Sequence, residues 1–219
     1  MKLTDEKANH IMIDIETMGL LSNSSICSVG AVRFNISDGV FENQFYRENL
    51  SLNEQVLQHG RVIYPDTVRF WAKQDRKAQV CFEGDRIGSY KEGIIDFYTW
   101  MKCNNNDETY VWCKSPQLDI SILEDAFFKL GFDIPWSYKK IVDLRTLSVL
   151  IPCEIECSGI KHNALDDAKN QALQAIDILR IFQQTCGMAA TWSVTHGHSD
   201  LPDNSTYTIS VGKLRQCKK

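Results

Sequence analysis

The stretch "HIMIDIETMGL", residues 10–20, sets two carboxylates two positions apart inside an apolar run. Its alternating isoleucines predict a β-strand, whose side chains point to opposite faces in turn. The isoleucines then share one face, and the other face carries Met12, Asp14 and Glu16. Two neighbouring carboxylates repel each other unless a cation joins them, and Mg²⁺ prefers oxygen ligands. The stretch predicts either a metal-binding strand or an exposed strand whose acids are solvated.

The composition is that of a globular domain. With 219 residues and 43% hydrophobic content, the chain is long enough for one domain with an appendage. It lacks the roughly 18 consecutive apolar residues of a membrane helix, and its N-terminus is too charged for a secretory signal. We therefore expect a soluble cytoplasmic protein with no membrane partner. The net charge of −4 argues against non-specific coating of nucleic acid, yet it allows an enzyme whose acids are neutralised by cations.

Eight cysteines are scattered along the chain without a CxxC pair. Proteins of reducing compartments keep their thiols free, whereas small secreted domains use dense cysteine patterns for disulfides. We interpret these cysteines as reduced thiols, in preference to a zinc site or disulfides.

The first half of the chain is predicted to hold three strands followed by helices. After residues 11–16, the segments "ICSVGAVRFNI" and "VFENQFY" predict two antiparallel strands joined by a hairpin at Asp38-Gly39. Helices are predicted for "NEQVLQH", which ends at Gly60, and for "DTVRFWAKQ" with Asp66 as its N-cap. A third helix is predicted from Ser89, where Glu92 would complete a capping box.

The second half repeats a strand-helix pattern. The strand "TYVWC" precedes a helix that ends at Gly131, and the strand "KKIVDL" precedes the longest helix, "NALDDAKNQALQAIDILRIFQQ". Three antiparallel strands followed by strand-helix units predict an α/β fold with a mixed sheet flanked by helices. Beyond Cys186 the pattern weakens, although "TYTISV" alternates like an edge strand.

Two helix starts carry further acids. Asp119 lies in the first turn of the helix after the fourth strand, where a carboxylate also favours the helix dipole. Asn163 is predicted to cap the longest helix, with Asp166 returning the capping bond. His162 and Asp167 then occupy the two positions where an apolar pair usually packs, which indicates a binding or catalytic role or a solvated helix start.

In chain order, Asp14, Glu16, Asp119, His162 and Asp167 resemble the DEDDh family of 3′-5′ exonucleases, whose fold is ribonuclease H-like. The motifs read "IDIETMG", "VWCKSPQLDISIL" and "HNALDDAKNQA", and the likeness covers residues 9–184. The segments "SICSVGAVRF", "DTVRFWAKQD" and "DLRTL" are similar to the branch that holds the phage exonuclease A proteins and small bacterial DEDDh exoribonucleases.

The resemblance implies a fold and an organisation. We expect a ribonuclease H-like α/β domain over residues 1–185, with a mixed five-stranded sheet flanked by helices. Residues 186–219 form a C-terminal extension that has no counterpart in the family and no assigned role.

The resemblance also implies hydrolysis at the 3′ end of single-stranded DNA or RNA, with release of nucleoside 5′-monophosphates. The family uses two divalent ions, expected to be Mg²⁺ or Mn²⁺. Its metal ligands map onto Asp14, Glu16, Asp119 and Asp167, and its general base maps onto His162. Near neutral pH, a histidine whose pKa is little changed can accept a proton from water.

Substrate contacts are predicted at three places. The turn formed by Thr17, Met18 and Gly19 follows the two strand acids, and in the family this turn touches the substrate. Phe70 and Trp71 could stack on a base, although aromatic residues at helical positions usually belong to the core. Arg145 could hold a phosphate or form a surface ion pair.

Two other functions stay open at this point. The chain could be the proofreading partner of a polymerase, or a non-catalytic nucleic-acid-binding module of the same fold. All five catalytic positions are filled, which favours the enzyme. The choice between RNA and DNA and the presence of a homodimer are left open, since no motif reports them.

Overall fold

The computed structural model describes residues 9–36, 39, 41–83, 87–153 and 155–195. Two compact units divide the chain, residues 1–182 and residues 183–219. The first unit holds a five-stranded sheet, with the strands β1 (His10–Thr17), β2 (Ile26–Phe34), β3 (Phe41–Arg47), β4 (Tyr110–Cys113) and β5 (Ile141–Asp143). Their order is β3-β2-β1-β4-β5. Strands β1 to β3 pair antiparallel, and β4 and β5 add in parallel, so the mixed sheet is confirmed.

Helices connect and cover the strands. They are α1 (Leu52–His59), α2 (Pro65–Trp71), α3 (Arg76–Glu83), α4 (Tyr90–Asn104), α5 (Asp119–Lys129), α6 (Leu144–Leu150) and α7 (Ala164–Thr195), with a short 3-10 helix at Tyr138–Lys140. Helices α3 and α6 were not predicted. Helices α1 and α2 are equally short, but Gly60 at the end of α1 and Pro65 at the start of α2 are the end signals that indicated them.

The sheet separates two apolar cores, and β1 contributes to both. Its three isoleucines pack in the core that contains Ile94 and Phe97 of α4 and Leu123 of α5. Met12 packs in the other core, against the alanines of α7. The predicted alternation is confirmed, and the face that carries the two strand acids is the face covered by α7.

Two of the predicted helix starts need correction. Tyr64, not Asp66, occupies the N-cap position of α2, because Pro65 is its first helical residue; Asp66 pairs with Arg69 instead. Ser89 does cap α4, with its hydroxyl accepting a bond from the Glu92 amide. The carboxylate that accepts the free amides of this first turn, however, belongs to Glu54 of α1.

Other details of the prediction fall at or beyond the edge of the described residues. Gly39 has a positive φ of 70°, as a hairpin turn requires, but Asp38 lies outside the described residues. The strand predicted at residues 206–211 also lies outside them. In the second unit, the described residues 183–195 continue the helix α7.

Two expectations from composition can be compared with the described part of the chain. The cysteines described there are free thiols: Cys27, Cys81, Cys103, Cys113, Cys153 and Cys157. No helix in the ranges that the structure covers combines the length and the apolar character needed to cross a bilayer.

Candidate active site

Strand β1 brings its two acids to the middle of the sheet. Asp14 pairs with Gly30 of β2, and a side chain at Gly30 would place a Cβ only 2.2 Å from the carbonyl carbon of Ala164. The first residue of α7 therefore lies directly on β2 beside Asp14. This close approach, which only glycine permits, brings the start of α7 to the strand acids.

A hydrogen-bonded cap holds that helix start in place. The Oδ1 atom of Asn163 accepts bonds from the amides of Leu165 and Asp166, both at 3.1 Å, as predicted for an N-cap. Its Nδ2 donates to the hydroxyl of Tyr46 on β3 at 2.7 Å. Asp166 does not return the bond to Asn163; its Oδ2 accepts the amide of Ile160 at 2.8 Å. Asp166 is structural, but it stabilises the preceding loop rather than the cap.

His162 and Asp167 meet as the sequence predicts. The backbone amide of His162 donates to Oδ2 of Asp167 at 2.9 Å, and His162 adopts a left-handed φ of 63°. Its Nδ1 atom lies 3.8 Å from Oε1 of Glu16. Three atoms that could bind a metal ion lie within 4.8 Å of one another, one each from Glu16, His162 and Asp167. The strand and the helix start thus form one site.

Asp119 completes the acid cluster at the beginning of α5. It is 3% exposed, and its Oδ2 accepts the amide of Ser115 at 3.2 Å. The charge of Asp119 raises the pKa of Asp14, so the two carboxyls are electrostatic neighbours. Leu118 occupies the N-cap position of α5 without a side-chain cap. Asp119 therefore links the loop after β4 to the site.

The acids have unusual proton affinities because they are buried together. Burial, followed by the charges of its acidic neighbours, raises the pKa of Asp14 well above its usual range. Burial likewise raises the pKa of Glu16 strongly, and it raises the pKa of Asp119 to about 7. Backbone amides and the guanidinium of Arg145 oppose the rise at Asp119. Four crowded carboxylates are a hard oxygen donor set, which fits divalent cations such as Mg²⁺ or Mn²⁺.

The histidine has the opposite shift. Burial lowers the pKa of His162, and the charges of Lys161 and Lys114 lower it further, while Asp167 raises it. The ring is therefore neutral at physiological pH and can accept a proton. The site thus combines an oxygen donor set that fits cations with a histidine able to accept a proton.

The comparisons with known proteins agree with this geometry. The family model described as "3′-5′ exoribonuclease Rv2179c-like domain" matches residues 9–179. The chain belongs to this family. It is a nuclease, a hydrolase of the 3′-5′ exonuclease type. A search of curated proteins gave no significant match.

Solved structures with the same fold are distant in sequence from this exoribonuclease-family domain. The nuclease domain of 3′hExo, a DEDDh family member bound to rAMP, is 15% identical, with a TM-score of 0.53 over 83% of this chain and 96% of that one. E. coli exonuclease I in complex with a 5cy-dA13 oligonucleotide is 14% identical, with a TM-score of 0.52 over 87% of this chain.

The overlap with the relatives is unequal. This chain covers 66% of the cell-death related nuclease CRN-4, which is 12% identical over 82% of this chain with a TM-score of 0.50. It spans less than half of exonuclease I, 43%. These likenesses establish the ribonuclease H-like fold that the sequence predicted.

Hydrogen bonds and close packing hold the predicted substrate turn of this exoribonuclease-family domain. The hydroxyl of Thr17 donates to the carbonyl of Gly19 at 2.6 Å. Met18 is buried, its amide donates to Ser25, and its carbonyl accepts the amide of Tyr64. A Cβ at Gly19 would lie 2.2 Å from the Tyr64 ring. The role of Thr17, Met18 and Gly19 in substrate binding stays a prediction, and the burial of Met18 leaves mainly backbone atoms for it.

The two adjacent aromatic residues of α2 have different surroundings. Trp71 is 2% exposed, and its Nε1 donates to the carbonyl of Thr17 at 2.9 Å. Phe70 is 43% exposed, and its ring lies edge to face with the His162 ring at 5.4 Å. Trp71 anchors α2 to the end of β1. Of the two roles considered for the aromatic pair, stacking on a base or packing in the core, Trp71 therefore has the second. Both rings contact His162 edge to face, Trp71 at 5.9 Å, but Phe70 presents the exposed aromatic surface beside it.

Arg145 lies exposed in the first turn of α6, which Asp143 caps through the amides of Arg145 and Thr146. Its effect on the pKa of Asp119 places its charge at the rim of the acid cluster. Its predicted role in holding a phosphate is untested.

Three residues that shape the site were not predicted: Gly30, Tyr46 and Gln171. Gln171 had a signal in the sequence, because it follows Asp167 by four residues and so lies on the same side of the helix. Gly30 and Tyr46 had none, since their contacts join distant parts of the chain.

Proposed function

We propose that this domain removes nucleotides one at a time from the 3′ end of a single strand or a 3′ overhang and releases nucleoside 5′-monophosphates. The observation that carries the proposal is the meeting of Asp14, Glu16, Asp119, His162 and Asp167 at one place. RNA is the preferred substrate in this proposal, supported by the description of the family model as an exoribonuclease domain. The likeness to phage exonuclease A proteins and a cytoplasmic location belong to the same proposal.

Asp14, Glu16, Asp119 and Asp167 would hold two divalent ions, Mg²⁺ or Mn²⁺. When bound, such ions lower the pKa of water and neutralise charge on the scissile phosphate. The ions also supply positive charge beside the acids. The raised pKa values of Asp14 and Glu16 show that the protein itself does not supply enough of it.

His162 serves as the general base: a ring nitrogen of the neutral imidazole takes the proton from the attacking water. The ring lies beside the strand acids, with Nδ1 3.8 Å from Oε1 of Glu16. The water oxygen forms the new bond to phosphorus, the bond from phosphorus to the 3′ oxygen of the preceding nucleotide breaks, and that oxygen takes up a proton from solvent. The products are a 5′-monophosphate and a strand that ends in a 3′ hydroxyl.

Substrate would enter over the rim of the cluster. Phe70 offers an exposed ring on which a base can stack, and such stacking contributes about 1–3 kcal/mol per base. The backbone of the turn at residues 17–19 and the guanidinium of Arg145 would contact the terminal nucleotide and a phosphate.

One assay tests the proposal. RNA and DNA strands of matched sequence, labelled at the 5′ end, are incubated with the protein in Mg²⁺ or Mn²⁺ and in EDTA. We expect a ladder of shortening products, faster for RNA, that needs metal and stops when the 3′ end is blocked. Cleavage of a closed circle would indicate an endonuclease, and binding without cleavage would indicate a non-catalytic module.

A further inference from the structure

Gln171 makes an unassigned contact with Asp14, one of the two acids on the central strand. It lies on α7 one turn after Asp167 and is 8% exposed. Its Nε2 atom donates to Oδ1 of Asp14 at 2.6 Å, a bond between residues 157 positions apart. This distance is at the short end for a nitrogen donor, as is usual when the acceptor is charged.

The orientation of the amide is determined by the chemistry of its neighbour. When a bound cation keeps Asp14 ionised, its carboxylate only accepts hydrogen bonds, so the NH₂ group faces Asp14 and the amide oxygen faces away. That oxygen, Oε1, is buried and has no partner among the residues that the structure describes. A buried acceptor without a donor is unfavourable, so this side chain is retained at a cost in hydrogen bonding.

The neighbours of Gln171 on α7 show that a polar side chain is not needed for packing. Ala168, Ala172 and Ala175 are fully buried in the apolar core beneath the same helix. A partly polar residue among them is a departure from the apolar pattern, and such departures mark functional positions.

We propose that Gln171 is a positioning residue for the cation site. Its amide holds one oxygen of Asp14, which keeps that carboxylate turned toward Glu16, Asp119 and Asp167 against their repulsion. An amide can do this without adding charge, whereas lysine or arginine would neutralise Asp14 and compete with the cation. This inference rests on the proposed function, because it requires that the acids bind cations.

The test compares two glutamines on one helix. Gln171→Met removes the donor and nearly keeps the volume. Gln174→Met is the matched control, since Gln174 bonds to the carbonyl of Cys153 at 2.8 Å, away from the acids. Mn²⁺ affinity is measured by calorimetry or electron paramagnetic resonance without substrate. We expect Gln171→Met to bind Mn²⁺ about 10–100-fold more weakly, the usual effect of losing a partner of a metal ligand, and Gln174→Met to match the wild type.

Kinetics provide the second readout. Activity of Gln171→Met should fall at limiting Mn²⁺ and recover in excess Mn²⁺, with the KM for the oligonucleotide unchanged at saturating metal. Unchanged Mn²⁺ affinity, or an equal loss in Gln174→Met, would overturn the proposal. If circular dichroism shows that Gln171→Met is unfolded, Gln171→Asn gives the same readout, because its shorter amide cannot reach Asp14. A wild-type protein that binds Mn²⁺ but degrades no strand would refute the proposed function while leaving the binding result for Gln171 valid.

Discussion

The strand half and the helix half of the site are held in different ways. Asp14 and Glu16 lie on the central strand, where pairing with β2 fixes the backbone; Glu16 is buried and Asp14 is half-buried. His162 precedes α7, and its position depends on hydrogen bonds to side chains. Its own amide donates to Asp167, and the adjacent Asn163 donates to the hydroxyl of Tyr46. We infer that the sheet fixes the positions of Asp14 and Glu16, whereas the cap of α7 fixes the position of His162. The two halves can therefore be perturbed separately.

The largest effect is expected from Asp14→Asn in the strand half. Activity should fall to the background and Mn²⁺ binding should be lost, because an amide is a poor ligand for a hard cation. Stability without metal should rise at neutral pH. The folded-state pKa of Asp14 is raised, so the folded protein binds more protons than the unfolded chain, and stability falls as the pH rises from the unfolded value through the folded one.

Calorimetry in EDTA checks the stability part of this prediction. Above the raised pKa range, Asp14→Asn should melt at a higher temperature than the wild type, by about 2–4 °C for each kcal/mol gained. The difference should shrink as the pH falls from the raised folded-state pKa toward the ordinary value of 3.8. Asp96→Asn, at an exposed carboxylate paired with Arg47, is the control and should change little. A lower melting temperature for Asp14→Asn in EDTA would contradict the account of the buried acids.

A smaller loss of activity is expected from His162→Ala in the helix half. Removal of a positioned base should slow the reaction about 10²–10⁴-fold while both cations still bind. The wild-type rate should fall on acidification, at a pH below the ordinary pKa of 6.5, because burial lowers the pKa of His162. The variant should lack this part of the pH profile. If His162→Ala loses Mn²⁺ affinity as strongly as Asp14→Asn, the histidine is a ligand and the two halves are not distinct.

The smallest effect is expected from Asn163→Ala, which breaks the cap without touching an acid. Loss of an N-cap costs about 0.5–2 kcal/mol of stability. Ser51→Ala removes the cap of α1, whose hydroxyl accepts the amide of Glu54, and should cost a similar amount. Only Asn163→Ala should also slow the reaction, because His162 is adjacent to it. Equal rates for the two variants would show that the cap does not position the base.

The sequence predicted those features of the fold that depend on neighbouring residues. The alternation of β1, the cap at Asn163 and the approach of His162 to Asp167 follow from strand and helix periodicity, which a few residues are enough to show. The exact helix start at Tyr64 was missed because Pro65 moved the cap back by two residues. The core role of Trp71 could not be separated from a stacking role until its partner Thr17 was known.

Contacts between distant segments could not be predicted in this way. The approach of Gly30 to Ala164 and the bond from Gln171 to Asp14 depend on how α7 crosses the sheet. Periodicity describes which side of an element is apolar, but it does not say which residues of two elements meet. A family resemblance supplied the arrangement that joins Asp14, Glu16, Asp119 and Asp167, whereas Gly30, Tyr46 and Gln171 beside them were not predicted.

The left-handed backbone of His162 has a consequence for how such a protein can change over evolutionary time. A residue with a side chain is disfavoured in this conformation, whereas glycine adopts it readily and asparagine tolerates it. Replacement by either would relax the loop and remove the base in one step, leaving the acid cluster intact. Under the proposed function, either replacement would turn a nuclease into a protein that only binds nucleic acid.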